Sequence, residues 1–313
     1  MELRNLGSSG LRVSAVGLGC NNFGNRIDFE QTRAVVGRAL DLGITLFDTA
    51  DTYGKPTGQS EAFIGRSLGA QRRNVVLATK FGQPVDDSAG THGGSRRYIM
   101  SAVEASLRRL HTEWIDLYQL HRPDPLTPIE ETLRALEDLV RDGKVRYIGS
   151  SKFAGWQMVE AHWTARHHNL GGFVSTQHEY SLLARGAERE ILPAARACGA
   201  GFLPFFPLAA GLLTGKYRRD AIPAGSRLTE ARTRDSMVTE ERWRTLEGLR
   251  GFCEQRGRTL LELAVSWLLA QAPVSSVIAG ATRPEQLEQN VAAAGWHLSA
   301  GDLAEIDRLT SAV

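Results

Sequence analysis

Short apolar runs alternate with amphipathic segments of helical length along nearly all of this 313-residue chain. That alternation restricts the fold more than any other feature. The runs at 15–19, 44–48, 75–80, 115–121, 145–149, 173–177, 201–205 and 276–279 read as buried strands. Between and after them, 29–42, 60–68, 97–110, 128–141, 155–168, 187–198, 239–256, 259–271, 284–294 and 301–310 read as helices. The boundaries carry their own signals. Asp28 and Gln31 have capping-box spacing. Gly43, Gly69 and Gly143 stop helices, and Pro128 opens one. Residues 2–14 read as a hairpin turning at Ser8, Ser9 and Gly10. Parallel strands need helical crossovers. Eight such units favour one closed α/β barrel, a (β/α)8 TIM barrel over residues 1–313, rather than an open doubly wound sheet. The hairpin and an additional C-terminal helix complete that single domain. In such a barrel, chemistry gathers where the strands end.

Three successive strands end in a reactive group: Asp48, Lys80 and His121. Tyr53 follows Asp48 within the stretch FDTADTYG, on a loop long enough to fold its phenol back over the strand end. Neighbouring strands lie about 4.8 Å apart, so these ends can converge. Tyrosine is a poor acid, with an ordinary pKa of about 10. A cation beside it would lower that value, and a carboxylate would hold the cation. Lys80 held by Asp48 is therefore expected to lower the Tyr53 pKa. His121 would donate to a substrate carbonyl, and Tyr53 would give it a proton as hydride arrives on carbon. No side chain supplies hydride, so a reduced nicotinamide is implied. Singly, each residue has a plainer reading: a turn aspartate, a packed tyrosine, a solvated lysine, a structural histidine. The register of the set is what argues for chemistry.

With those residues in place, the chain resembles the aldo-keto reductases, of the bacterial type related to potassium-channel beta subunits. The matching stretches are LGSSGLRVSAVGLG, FDTADTYG, VVLATKFG, IDLYQLHRPDP, GKVRYIGSSKF, LAAGLLTGKY and VIAGATRPEQLEQN, in the family's order. The resemblance implies a (β/α)8 barrel, NADP(H) as cofactor, a small-molecule carbonyl substrate, and the tetrad Asp48, Tyr53, Lys80 and His121. It also implies cofactor positions. Ser151 stands where the family's Ser-Asn pair holds the nicotinamide carboxamide, with Lys152 replacing the Asn. Gln177 matches a second carboxamide contact. Phe205 matches the aromatic residue that stacks on the nicotinamide, and Phe206 replaces a serine that contacts phosphate. The backbone of Pro207, Leu208 and Gly211, with the Lys216 side chain, would line the pyrophosphate. Arg227 matches a residue near the adenosine ribose. Gly280, Thr282, Gln286 and Asn290 match the adenosine segment, and Thr282 with nearby cations suits a 2′-phosphate, hence NADP over NAD. The first strand ends GLGCNNFG where relatives often have Gly-Thr-Trp, so Gly19, Cys20 and Asn21, with Asn22, meet the site in an unusual form.

Composition narrows the alternatives. A balance of 37 basic against 35 acidic residues carries no nucleic-acid or membrane signal. Cys20, Cys198 and Cys253, far apart and odd in number, suit a reducing compartment without disulfides or zinc. No apolar run approaches about 18 residues, and the N-terminal residues have no signal-peptide core, so a cytoplasmic protein is expected. Gly17-x-Gly19 lacks the third glycine of a dinucleotide fingerprint, and Gly211 to Tyr217 is a residue short of a phosphate loop. His167 and His168 read as solvated, with no metal site expected. Trp156 and Trp163, seven apart on one helix face, read as core. Two other functions stay open. One is a Schiff-base lyase on Lys80. The other is an NADPH-binding sensor or regulatory subunit, although the channel beta subunits carry Asn where this chain has His121. The resemblance fits both monomers and larger assemblies.

Overall fold

The computed structural model describes residues 1–86, 90–219, 221–224, 226–230 and 237–311. Two short strands, β1 (Leu3–Asn5) and β2 (Arg12–Ser14), pair antiparallel as the expected hairpin. Eight more follow: β3 (Val16–Gly19), β4 (Leu46–Asp48), β5 (Val76–Phe81), β6 (Ile115–Leu120), β7 (Val145–Ser151), β8 (Ser175–Glu179), β9 (Gly201–Phe205) and β10 (Val277–Gly280). They form one parallel sheet in the order β10-β3-β4-β5-β6-β7-β8-β9. The two edges meet just before β10, where Phe202 N–H donates to the Pro273 carbonyl at 2.7 Å and Ser275 N–H to the Phe202 carbonyl at 3.0 Å. The result is a nearly closed (β/α)8 barrel.

Around it lie α1 (Phe29–Asp41), α2 (Gln59–Leu68), α3 (Arg96–Leu110), α4 (Ile129–Arg141), α5 (Gly155–His167), α6 (Ile191–Cys198), α7 (Glu240–Glu254), α8 (Leu260–Leu269), α9 (Pro284–Ala292) and the additional α10 (Ala300–Thr310). The Asp28 box forms as its spacing implies: Asp28 Oδ1 accepts from Gln31 N–H at 2.9 Å, and Gln31 Oε1 accepts from Asp28 N–H at 3.1 Å. Two expectations shift. The strand expected at 173–177 begins at Ser175 and runs to Glu179. The segment expected as loop from 207 to 238 contains 3-10 turns at Ala209–Thr214 and Arg227–Thr229, while its residues 220, 225 and 231–236 lie outside those described. No helix among the described residues is long and apolar enough to cross a membrane.

Trp156 and Trp163 are not core: they are 64% and 61% exposed. A seven-residue spacing puts two side chains on one face but does not say which face turns inward. Met158, Ala161 and Ala165 supply the buried face of α5 instead.

Period-two alternation then places the chemistry. Strand residues two apart point the same way. Inside the barrel, Leu46, Ala78, Leu117, Leu203 and Ile278 pack with Leu6 and Val13 of the hairpin as one apolar plug. The hairpin closes the N-terminal mouth through Gly7. Its φ is +60°, and a β-carbon there would lie 2.5 Å from the Gly199 carbonyl oxygen. Two residues further along each strand, the same inward phase reads Asp48, Lys80, Gln119, Phe205 and Gly280. The interior changes from apolar to polar at that layer.

Candidate active site

The polar layer is cross-linked. Lys80 Nζ donates to Asp48 Oδ2 at 2.7 Å and to the Thr49 carbonyl at 2.9 Å. The other carboxylate oxygen, Oδ1, accepts from Gln119 Nε2 and Gln177 Nε2, each at 3.1 Å. Lys80 is wholly buried and Asp48 nearly so. Burial works most strongly against the Lys80 charge, but the Asp48 carboxylate and Tyr53 together outweigh it and hold the ammonium above its ordinary value. A charged amine of that kind is a poor nucleophile, which counts against the lyase.

The loop that carries Tyr53 is pinned by its backbone. Thr49 N–H donates to the Ala78 carbonyl and Asp51 N–H to the Lys80 carbonyl, while the Tyr53 carbonyl accepts from Ser60 N–H at the start of α2. The phenol ring comes to rest with its centroid 5.1 Å from Lys80 Nζ. It meets the His121 imidazole edge to face, centroids 5.8 Å apart. Asp48, Tyr53, Lys80 and His121 are thus brought together.

Their protonation departs from expectation in one respect. Burial raises the Tyr53 phenol above its ordinary value, and Lys80 draws it back without cancelling that effect. The expected net lowering does not occur, because a phenolate would have to be accommodated where little water reaches it. Tyr53 therefore keeps its proton at working pH and can act as a donor. Burial first, then the charges of Lys80, Lys152 and Arg122, push His121 down to about 2. Its imidazole is neutral, able to donate one N–H without bringing a charge. Its Nδ1 is buried and, among the described residues, has no side-chain or backbone partner.

A cavity of about 860 Å³ opens over this layer. Asp48, Tyr53 and His121 line it, with Lys80 beneath. Every one of the expected cofactor positions lines it too: Gly19, Cys20, Asn21, Ser151, Lys152, Gln177, Phe205, Pro207, Leu208, Gly211, Lys216, Arg227, Gly280, Thr282, Gln286 and Asn290. Several are held by the protein itself. Ser151 Oγ and Lys152 N–H both donate to the Gln177 carbonyl, at 3.1 and 3.0 Å. Arg227 Nη2 donates to Asn22 Oδ1 at 3.2 Å, and Asn22 Nδ2 to the Ala281 carbonyl at 3.3 Å. Thr282 N–H donates to Gln286 Oε1 at 2.8 Å. Lys216 lies across Gly211, whose φ is +95° and whose β-carbon, were there one, would sit 3.3 Å from Lys216 Cε. Cys20 borders the cavity with no exposed surface. Its sulfur contacts the Leu18 carbonyl at 3.4 Å, and burial with the Asp48 carboxylate raises the thiol well above its ordinary value. Among the described lining residues Asp48 is the one acid, against Arg26, Lys152, Lys216, Arg227 and Arg283.

Sequence reasoning did not single out Gln119, Arg26 or Arg283. Gln119 was legible in principle, since it shares the inward phase of IDLYQLH with His121. It also missed a buried acidic pair behind the site. Glu61 accepts from Thr79 Oγ1 at 2.6 Å and from Arg109 Nε at 2.7 Å. Asp51 accepts from the Tyr98 hydroxyl at 3.3 Å, while its Oδ1 has no partner among the described residues. Burial, and then Glu61, push Asp51 up to about 8.

This has a thermodynamic sign. An unfolded aspartate titrates near 3.9, so between there and about 8 the folded chain binds the extra proton. The stabilisation from protonated Asp51 is complete below about pH 4 and is lost as pH rises towards 8, at up to about 1.4 kcal/mol per pH unit. Asp51→Asn should flatten that fall. Thermal melts from about pH 5 to 8 check it: parallel curves for variant and wild type would show that Asp51 is not the titrating group.

Comparison with known proteins places the chain. The model of the Aldo/keto reductase family matches residues 15–311. The chain is 42% identical over 302 residues to an uncharacterised oxidoreductase of Bacillus subtilis, covering 94% of this chain and 91% of that protein. It is 37% identical over 320 residues to the L-glyceraldehyde 3-phosphate reductase of Escherichia coli K12, covering 98% and 92%. It is 36% identical over 303 residues to a probable voltage-gated potassium channel subunit beta of Arabidopsis thaliana, covering 94% and 91%. With its barrel, its polar layer and these relatives, the chain belongs to the aldo/keto reductase family.

Proposed function

We propose that this protein reduces an aldehyde or ketone to the alcohol with NADPH. The reading is carried by one observation: a lysine-carboxylate pair stands beside a protonated phenol and a neutral imidazole at the floor of one cavity. The E. coli relative, by name a reductase of an aldehyde phosphate, supports the reaction class. The residues present fit the cofactor. Phe205 offers a ring face, Ser151 and Gln177 offer polar groups for the carboxamide, and Gly211 leaves room at the backbone for a pyrophosphate under Lys216. Gly280, Thr282, Gln286, Asn290 and Arg227 surround the adenosine end, with Gly19, Cys20 and Asn21 on the neighbouring strand end beside Gly280. The cations there favour the 2′-phosphate.

A bound reduced nicotinamide supplies the hydride. His121 donates to the carbonyl oxygen and fixes its direction. Tyr53 passes its proton to that oxygen as negative charge grows. Lys80 sits close enough to stabilise the phenolate left behind, and Asp48, braced by Gln119 and Gln177, keeps Lys80 in place. We take the protein to be cytoplasmic and to act on a small molecule, with no nucleic-acid or membrane partner. The potassium-channel relatives favour a second reading, an NADPH-binding regulatory subunit with little turnover. The retained His121 argues for turnover.

Fluorescence titration with NADPH and with NADH tests the cofactor assignment before any substrate is known. NADPH should bind more tightly. Alanine at both Thr282 and Arg227 should weaken NADPH about tenfold, equivalent to about 1.4 kcal/mol, and leave NADH little changed. An unaltered preference would displace the phosphate site from these residues. NADPH binding without consumption across aldehydes and ketones would favour the regulatory reading.

A further inference from the structure

The tetrad accounts for one lysine, and the cavity holds another beside it. Lys152 stands where the family resemblance implies Asn. Its φ is +60°, and its N–H is fixed on the Gln177 carbonyl at 3.0 Å, so the backbone is set while the side chain lines the cavity. Asparagine enters that left-handed conformation more readily than lysine does, so the lysine accepts some strain at this position. Its Nζ lies 5.8 Å from the centroid of the Phe205 ring. Among the described residues Lys152 has neither an ion pair nor a side-chain hydrogen bond.

The charges around it do not balance. Lys80 is committed to Asp48. Arg122, the residue after His121, is exposed and, among the described residues, likewise unpaired, and its charge reaches both His121 and Lys152. Lys152 keeps an exposed surface; its partial burial, then Lys80 and Arg122, lower the ammonium, and Glu179 is the weakest influence upon it. A cation held at a cost beside other cations gains most from an anion that arrives with the ligand.

We infer that Lys152, reinforced by Arg122, is a specificity-determining residue that selects short carbonyl substrates bearing a phosphate or carboxylate. This rests on the carbonyl-reductase reading and assigns the substrate class of that same site. Lys216 and Arg227 serve the pyrophosphate and adenosine end of the cavity in that reading, and Arg283 follows Thr282 there. An asparagine at 152 would offer the carboxamide a neutral amide, whereas the lysine offers charge next to His121.

The test uses Lys152→Met, which keeps the apolar stem against Phe205 and removes the charge. The matched substrates are 4-oxobutanoate and butanal, equal in chain length and differing by the carboxylate. Wild type should prefer 4-oxobutanoate. In the variant the ratio of the two kcat/KM values should fall about tenfold or more, through KM for the anion. An unchanged ratio, or a loss shared equally by both substrates, would overturn the inference, the second because it would assign Lys152 to the cofactor. A binding measurement separates this failure from failure of the reductase reading. Calorimetric titration of wild type and variant with succinate, and separately with inorganic phosphate, in the presence of saturating NADP+ distinguishes carboxylate from phosphate. Weakening of either by about tenfold in Lys152→Met upholds the anion site even if no carbonyl is turned over. Affinities for both anions that are the same in variant and wild type overturn it even if butanal is reduced.

Discussion

Tyr53→Phe should lower carbonyl reduction by about 10²–10⁴-fold, the range expected for losing a positioned general acid. The ring stays, and with it the edge-to-face contact with His121. The loop is held by backbone hydrogen bonds from Thr49 and Asp51, which do not involve the hydroxyl. Thermal stability and NADPH affinity should therefore stay close to wild type, so the loss would fall on kcat. Steady-state kinetics beside a cofactor titration check the split. A variant that keeps its activity would remove Tyr53 as the acid, and one that loses NADPH affinity in proportion would make it a binding residue instead. The raised phenol sharpens the expectation. A donor that holds its proton throughout the working range predicts no alkaline loss of activity from Tyr53 itself near neutral pH.

Lys80→Met should have the second large effect, on stability and activity together. Its ammonium is the buried partner of a nearly buried carboxylate. Removing one member of such a pair leaves the other charged and uncompensated, at a cost of about 3–5 kcal/mol. Gln119 and Gln177 would still donate to Asp48 Oδ1, but Oδ2 would lose its 2.7 Å partner. Urea denaturation measures the cost. The double variant Lys80→Met with Asp48→Asn should recover part of it, because the orphaned charge is then gone, while activity stays lost in both. A single variant as stable as wild type would mean that the pair is relaxed by solvent the burial does not reveal.

Much of the site was legible because strand ends in a parallel barrel converge whatever the loops do. FDTADTYG, VVLATKFG and IDLYQLH each end a strand with a reactive side chain, and the structure brings Asp48, Tyr53, Lys80 and His121 together. Gln119 escaped notice because a glutamine inside an apolar strand reads as an exception until the inward phase is known. Trp156 and Trp163 were misplaced for a related reason, since spacing gives a common face and packing chooses which face is buried. The Tyr53 pKa was misjudged because the sequence shows the cation that lowers it and does not show the burial that raises it.

The order of strands and helices, the Asp28 cap and the family motifs follow from residue pattern alone, because propensity, capping and period-two alternation are local. Three features are decided only by tertiary structure. Asp48 is shared among Lys80, Gln119 and Gln177, which come from three strands and meet only when the barrel curls round. Asp51 and Glu61 become a buried pair only when α2 and α3 close over the loop. Lys152 becomes a cation beside His121, without an ion-pair partner among the described residues, only when β7 and the end of β6 share one mouth. Each depends on how far apart two charges lie and how little water stands between them, and distance and burial are properties of the packed chain.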